Sequence, residues 1–236
     1  MQWRRQFSAP PARFLPEDRP VELETSRPEG LVFRLGRRPD AWQPPDWFLA
    51  QSDGTFGNRF DDPDGYYRVL YASSQRLACF IETLARFRPD LSLLAELDEI
   101  EGDNDFLPTG TLPREWLVGR MMGKATLNGI FADIYAAAWV SHLRRTLASE
   151  ALRIGIRDID LSALETAEPR RLTQLASRQA YRMNFAGVFY RSRFGHSLEN
   201  WAIFEPFPLE NPQSENLSEN DPDFLEALRI HGIRLA

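Results

Sequence analysis

The residues of this chain that could do chemistry come in two stretches. The first is Gly57-Asn58-Arg59-Phe60-Asp61, followed by Tyr71-Ala72-Ser73-Ser74 and a helix-patterned run that sets Glu82 beside Ala78 and Ala85. An arginine, an aromatic ring and a carboxylate in one compact unit are the beginnings of an active site. The planar guanidinium fork grips an anion through two hydrogen bonds, and a carboxylate offsets developing positive charge. The second stretch is Ala186-Gly187-Val188-Phe189-Tyr190-Arg191-Ser192-Arg193, with Asn200-Trp201-Ala202-Ile203-Phe204 shortly after it.

These residues need elements to hold them. Leu31 to Leu35 reads as a strand, with Arg34 facing either a cleft or solvent. Gly57 permits a bulge or close backbone approach where Arg59 is presented, and Asp61-Asp62-Pro63-Asp64-Gly65 is a turn. Tyr66 to Ala72 alternates as a strand. Ser73 or Ser74 caps a helix that runs to about Phe87 and is ended by Pro89. Leu77, Phe80, Ile81 and Leu84 form its apolar stripe, and Glu82 lies at the stripe's edge, where small neighbours leave room for a ligand. The plainer alternative pairs Glu82 with Arg86 at i,i+4, worth about 0.3 to 0.5 kcal/mol.

Farther along, Leu97 to Ile100 and Trp116 to Met122 read as strands, Phe131 to about Leu152 as a long helix, Ile156 to Leu161 as a short strand and Arg170 to Met183 as a helix. In the second stretch, strand alternation puts Val188, Tyr190 and Ser192 on one face and Phe189, Arg191 and Arg193 on the other. Residues 194–200 read as a loop, so Asn200 stands at a loop-to-strand junction where its amide can be aimed at a ligand. Residues 1–30, rich in proline, read as an extended arm. Glu210 to Pro222 reads as a mobile acidic linker, and Asp223 to Ile230 as a short helix that docks on the domain or on a second subunit.

Composition narrows the function. A net charge of -6 over 236 residues argues against nonspecific nucleic-acid binding, which needs a basic surface. The single cysteine, Cys79, excludes an intrachain disulfide, and the three histidines are too dispersed to suggest a metal site. No apolar h-region or membrane-spanning run is present, so the expected location is cytoplasmic. No Rossmann glycine motif, P-loop or GxSxG elbow stands in the chain.

Taken in order, Gly57-Asn58-Arg59-Phe60, Tyr71-Ala72-Ser73, Leu77-Ala78 with Glu82, Gly187 to Arg193 and Asn200 to Phe204 resemble the RES domain, named for an arginine, a glutamate and a serine. The resemblance spans about residues 31–206, leaving 1–30 as an arm and 207–236 as linker and helix. It implies an α+β fold like that of the ADP-ribosyltransferases, a split mixed or antiparallel sheet with flanking helices around a dinucleotide cleft. It places the catalytic roles on Arg59, Glu82 and Ser192. Arg34 and Tyr71 match further pocket positions, and Asn200 is the remaining candidate for substrate binding.

The activity implied is destruction of NAD+, taken as substrate and not as cofactor, by phosphorolysis with inorganic phosphate as co-substrate. Hydrolysis and protein ADP-ribosylation are the alternatives. The partner implied is a helix-turn-helix antitoxin. Asn58, Phe60 and Asp61 depart from the family's usual glycine, tryptophan and asparagine, and the insert between Glu82 and Ser192 is long. These departures motivate a reading of another class, a nucleotide-binding or interaction module without turnover.

Overall fold

The computed structural model describes residues 23–89, 110–166 and 170–236. The expected strand at Leu97 to Ile100 and most of the N-terminal arm lie outside them. In chain order the elements are β1 (Thr25–Ser26), β2 (Leu31–Arg37), β3 (Val69–Ser73), α1 (Arg76–Leu84), β4 (Thr111–Leu112), α2 (Glu115–Val118), β5 (Arg120–Leu127) and β6 (Phe131–Asp133). Then follow α3 (Ala137–Thr146), α4 (Ala148–Arg153), α5 (Leu161–Thr166), α6 (Arg171–Arg182), β7 (Gly187–Ser192), β8 (Gly195–Phe204), β9 (Leu209–Asn216), α7 (Pro222–His231) and β10 (Arg234–Leu235). The fold is α+β, a mixed sheet with flanking helices.

Eight strands form the main sheet in the order β1-β6-β7-β8-β3-β2-β5-β9. β6 and β7 run parallel and the other neighbours antiparallel. The sheet is split at its middle: β2 and β3 share a single register pair, Phe33 with Ser73. Beyond that pair the Arg34 side chain fills the gap, its Nη1 donating to the Tyr71 carbonyl and its Nε to the Ala41 carbonyl, each at 2.8 Å. Burial pulls the Arg34 guanidinium down to about 10, still charged at neutral pH.

Side-chain alternation sorts the core by face. Val69 and Tyr71 of β3, Val188 and Tyr190 of β7, and Ala202 and Phe204 of β8 pack under the helices with Trp139, Leu172, Ala176 and Ala180. Phe33 and Leu35 of β2 pack on the same side against Phe80, Ile81 and Leu84 of α1 and Phe224 of α7. Their neighbours Val32, Leu70, Ala72, Phe189, Trp201 and Ile203 form the opposite face around Trp42. The helical side is therefore divided into two packed halves, and the site described below opens between them.

Several elements differ from the sequence reading. Phe131 to Asp133 is a strand, because Phe131 and Ala132 are fully buried and pair with Gly187 and Val188; the helices begin only after Ala136. Trp116 belongs to α2, and the strand after it starts at Arg120 and runs to Leu127. No strand forms over Ile156 to Leu161, where α5 begins instead. Glu210 to Asn216 is not a linker but most of β9, the outermost strand, paired with β5. An edge strand wetted on both sides shows no apolar alternation, and Pro212 is tolerated there because its missing N–H leaves no ladder bond unmade. Part of the arm is also structured: β1 pairs with β6, and the Glu24 carbonyl accepts from the Trp139 indole at 2.8 Å.

The C-terminal helix carries strong local signals. The Asp221 carboxylate accepts from the Asp223 and Phe224 amides, Pro222 opens α7, and Gly232 closes it at φ 64°. It docks on α1 of the same chain. Phe80 and Phe224 lie 5.6 Å apart, and the His231 ring bonds the Ile81 carbonyl through Nε2 at 2.8 Å.

Candidate active site

Arg59 stands on a turn whose backbone is held from three sides. Gly57 takes φ 74°, and the buried Asp61 carboxylate accepts from the Phe56 and Asn58 amides at 2.8 Å each. Burial raises the Asp61 carboxyl above the usual carboxylate range against the pull of those two bonds. From α6, Gln174 Nε2 donates to the Asn58 carbonyl at 3.1 Å, Thr173 Oγ1 to the Arg59 carbonyl at 2.6 Å and Ser177 Oγ to the Phe60 carbonyl at 2.7 Å. From β3, the Tyr71 hydroxyl accepts from the Phe60 amide at 2.9 Å. Arg178 completes the clasp, gripping both Asp62 oxygens at 2.8 and 2.9 Å and reaching Asp64.

The Arg59 guanidinium packs among the rings of Phe60, Tyr135 and Tyr190, with its Cζ 5.4, 5.7 and 5.7 Å from their centroids. Nη2 donates to the Leu164 carbonyl and, at 2.9 Å, to the Glu165 carbonyl, both in the last turn of α5, where unpaired carbonyls favour a cation. Among the described residues Nε is buried without a hydrogen-bond partner. With both Nη2 protons committed, the two-pronged grip expected of Arg59 is not free as the residue stands.

Glu82, on α1, faces Arg59 across a cleft of about 420 Å³. The same cleft is lined by Tyr71, Tyr190, Asn58, Thr83, Glu165, Thr166, Arg170 and Arg193. Among the described residues Glu82 makes no ion pair, and Arg86 instead lies over the Phe87 ring at 4.8 Å, so the expected i,i+4 alternative does not form. Asn200 donates to Glu82 Oε1 through Nδ2 at 3.1 Å. Burial, followed by the Glu82 charge, pushes the Tyr190 phenol well above its ordinary value; burial, followed by Asp61, does the same to Tyr71. Both phenols are neutral at physiological pH and present rings and protonated hydroxyls.

Of the residues singled out in the sequence, the structure brings Arg59, Tyr71 and Glu82 to one cleft. Ser192 shares a strand face with Tyr190 but is 2% exposed, its Oγ accepts from the Phe194 amide at 3.0 Å, and it is not part of the cleft wall. Arg34 fills the split between β2 and β3, also outside the wall. Asn200 lies within β8, since the expected 194–200 loop is a tight turn followed by strand from Gly195, and it contacts Glu82 instead of the cleft.

Sequence reasoning missed Arg193, Arg170, Glu165 and Thr166. Regular alternation turns Arg193 away from Tyr190, but the register slips between Arg191 and Ser192 and the hairpin turn swings Arg193 to the cleft. Thr173, Gln174, Ser177 and Arg178 of the α6 clasp fall at i, i+1, i+4 and i+5 on one side of a helix, a polar face whose spacing does not say what packs on it.

No curated protein matches this chain. Among solved structures, the crystal structure of the M. tuberculosis MbcT–MbcA toxin–antitoxin complex contains a chain similar at 13% identity and a TM-score of 0.48, over 88% of this chain and 92% of that one. The RES domain matches residues 31–223, from β2 through β9 to the start of α7, and the chain belongs to that family.

Proposed function

We propose that this protein degrades NAD+ by cleaving the bond between nicotinamide and ribose and transferring the ADP-ribosyl group to inorganic phosphate. The products are nicotinamide and ADP-ribose 1''-phosphate. One observation carries the reading: Glu82, a carboxylate without an ion-pair partner among the described residues, faces Arg59, Arg170 and Arg193 across a cleft of about 420 Å³. That volume lies within the roughly 300 to 1,000 Å³ typical of small-molecule sites.

The chemistry fits those residue types. Nicotinamide leaves NAD+ as a neutral molecule, so the departure needs no general acid. The transition state resembles an oxocarbenium ion, and a carboxylate beside the ribose stabilises it and holds a hydroxyl. Glu82 has that role. The Tyr71 and Tyr190 rings offer flat surfaces to the nicotinamide and ribose. Arg170 and Arg193, which have no ion pair among the described residues, bind the diphosphate and the attacking phosphate, with Arg59 in the same cleft wall. Three cations against Glu82 and Glu165 favour phosphorolysis, since two anions must share the cleft.

Family membership supports this reading, and the family resemblance supports a toxin role with a helix-turn-helix antitoxin as partner. Among the described residues no helix is long and apolar enough to cross a membrane. Incubation of the purified protein with NAD+, with and without phosphate, and identification of products by mass tests the proposal. ADP-ribose 1''-phosphate formed only with phosphate is the expected result. Free ADP-ribose indicates hydrolysis, a mass gain on protein indicates transfer, and NAD+ left intact in both samples overturns the proposal. Co-purification with the product of an adjacent small reading frame tests the partner.

A further inference from the structure

Asn200 is 1% exposed, and both ends of its amide are occupied. Its Oδ1 accepts from Ser73 Oγ at 2.5 Å, and its Nδ2 donates to Glu82 Oε1 at 3.1 Å. Ser73 and Asn200 are register partners on β3 and β8, so the sheet ladder sets their separation, while Glu82 arrives from α1. The carboxylate, an acceptor only, fixes the amide's orientation with Nδ2 toward Glu82, and the Ser73 hydroxyl, free to rotate, donates to the Oδ1 that this leaves at the buried end. The reversed amide would set two acceptor oxygens against each other.

We infer that Ser73 and Asn200 are positioning residues for Glu82: the serine anchors the amide at its buried end, and the amide pins one carboxylate oxygen while the other faces the cleft. Neither touches the substrate. Ser73 is 3% exposed, and neither residue belongs to the cleft wall. Truncating Asn200 removes a hydrogen bond to a charged group and leaves Glu82 free to rotate away from the reacting ribose. The kinetic consequence rests on the NAD+ reading above; the structural consequence does not.

The test has two arms, run on full-length protein with melting curves to verify folding. In the kinetic arm, Asn200→Ala lowers kcat for NAD+ by about 10- to 100-fold with KM within about 2-fold, the range expected for a bond to a charged group. Ser73→Ala lowers kcat by about 3- to 10-fold, and Ser73→Thr, which keeps the hydroxyl, restores it to within about 2-fold. In a Glu82→Gln background, Asn200→Ala changes the residual rate by less than about 2-fold, because its effect passes through Glu82. Equal losses in both backgrounds, or a rise in KM alone, overturn the inference.

The second arm follows the Asn200 side-chain amide by nitrogen-15 NMR, with Asn200→Ala to assign it. Glu82→Gln shifts that pair of resonances, and Ser73→Ala speeds its hydrogen exchange by about tenfold, as expected when a buried hydrogen bond is lost. If the wild type leaves NAD+ intact, the functional proposal fails and this arm decides the inference by itself. Resonances unmoved by either substitution overturn it.

Discussion

The Tyr71 hydroxyl accepts the Phe60 amide proton at 2.9 Å, so the ring that lines the cleft also anchors the turn bearing Arg59. Tyr71→Phe keeps the ring and leaves the Phe60 N–H without its acceptor. The expected loss of stability is about 1 to 3 kcal/mol, the cost of an unsatisfied buried donor. Urea denaturation measures it, and an unchanged midpoint would show that the amide finds another partner.

Arg178 holds Asp62, whose side chain is fully buried, with its own side chain 10% exposed. Removing one partner strands a buried charge, so Arg178→Ala is expected to cost about 3 to 5 kcal/mol. Arg229 and Glu226, an exposed pair on α7, provide the control: Arg229→Ala should leave stability close to that of the wild type. Similar losses for the two variants would mean that the Asp62 pair is effectively solvated.

Arg170 and Arg193 are assigned to anion binding, so neutralising either should act on affinity. Arg170→Ala and Arg193→Ala are each expected to raise KM for NAD+ or for phosphate by about 5- to 10-fold while leaving kcat within about 2-fold. The wild-type KM values should rise with ionic strength, because both side chains are exposed to screening. Steady-state kinetics with each substrate varied in turn decides this, and a pure kcat defect would place these arginines in the chemical step.

Glu205 pairs with Arg68 through bonds to both of its oxygens, and those side-chain hydrogen bonds hold its carboxyl below the usual range. A depressed folded-state value means that the unfolded chain binds the proton more readily. The pair's contribution is therefore present above the ordinary glutamate range and is lost as pH falls through the depressed value. Glu205→Gln should flatten the acid side of the stability profile and leave its alkaline side unchanged. Thermal melts between about pH 3 and 8 would show it, and a parallel acid limb in the variant would refute the assignment.

How much of this was legible follows the range of the interactions involved. Arg59, Tyr71 and Glu82 lie close together in sequence, and the turn, strand and helix that carry them have strong local signals. Asn200 and Arg193 depend on the register of one hairpin, and a slip after Arg191 reversed the expectation for Arg193. Arg34 reads as a strand arginine with two open faces, and nothing local says that its neighbour strand has diverged. Thr173, Gln174 and Ser177 look like a solvated helix face. They are buried because the 55–65 loop folds back on them from more than a hundred positions away, a pairing no local pattern encodes. β9 has the composition of a linker, and only its pairing with β5 makes it a strand.

The single register pair between Phe33 and Ser73 makes the middle of the sheet a seam, with Arg34 as its rivet. α1 lies across that seam, and the buried Cys79 thiol, pushed up to about 12 and so protonated, donates to the Phe33 carbonyl at 3.1 Å. Glu82 thus rides on a splice between two half-sheets, whereas Tyr71, Tyr190 and Arg59 belong to one of them. The aperture between carboxylate and guanidinium is set by how tightly the splice is drawn and by the Asn200 bond that ties Glu82 to β8. The tolerance of the cleft geometry is that of a joint held by one arginine, one thiol, one amide and a helix face, with no continuous ladder behind it.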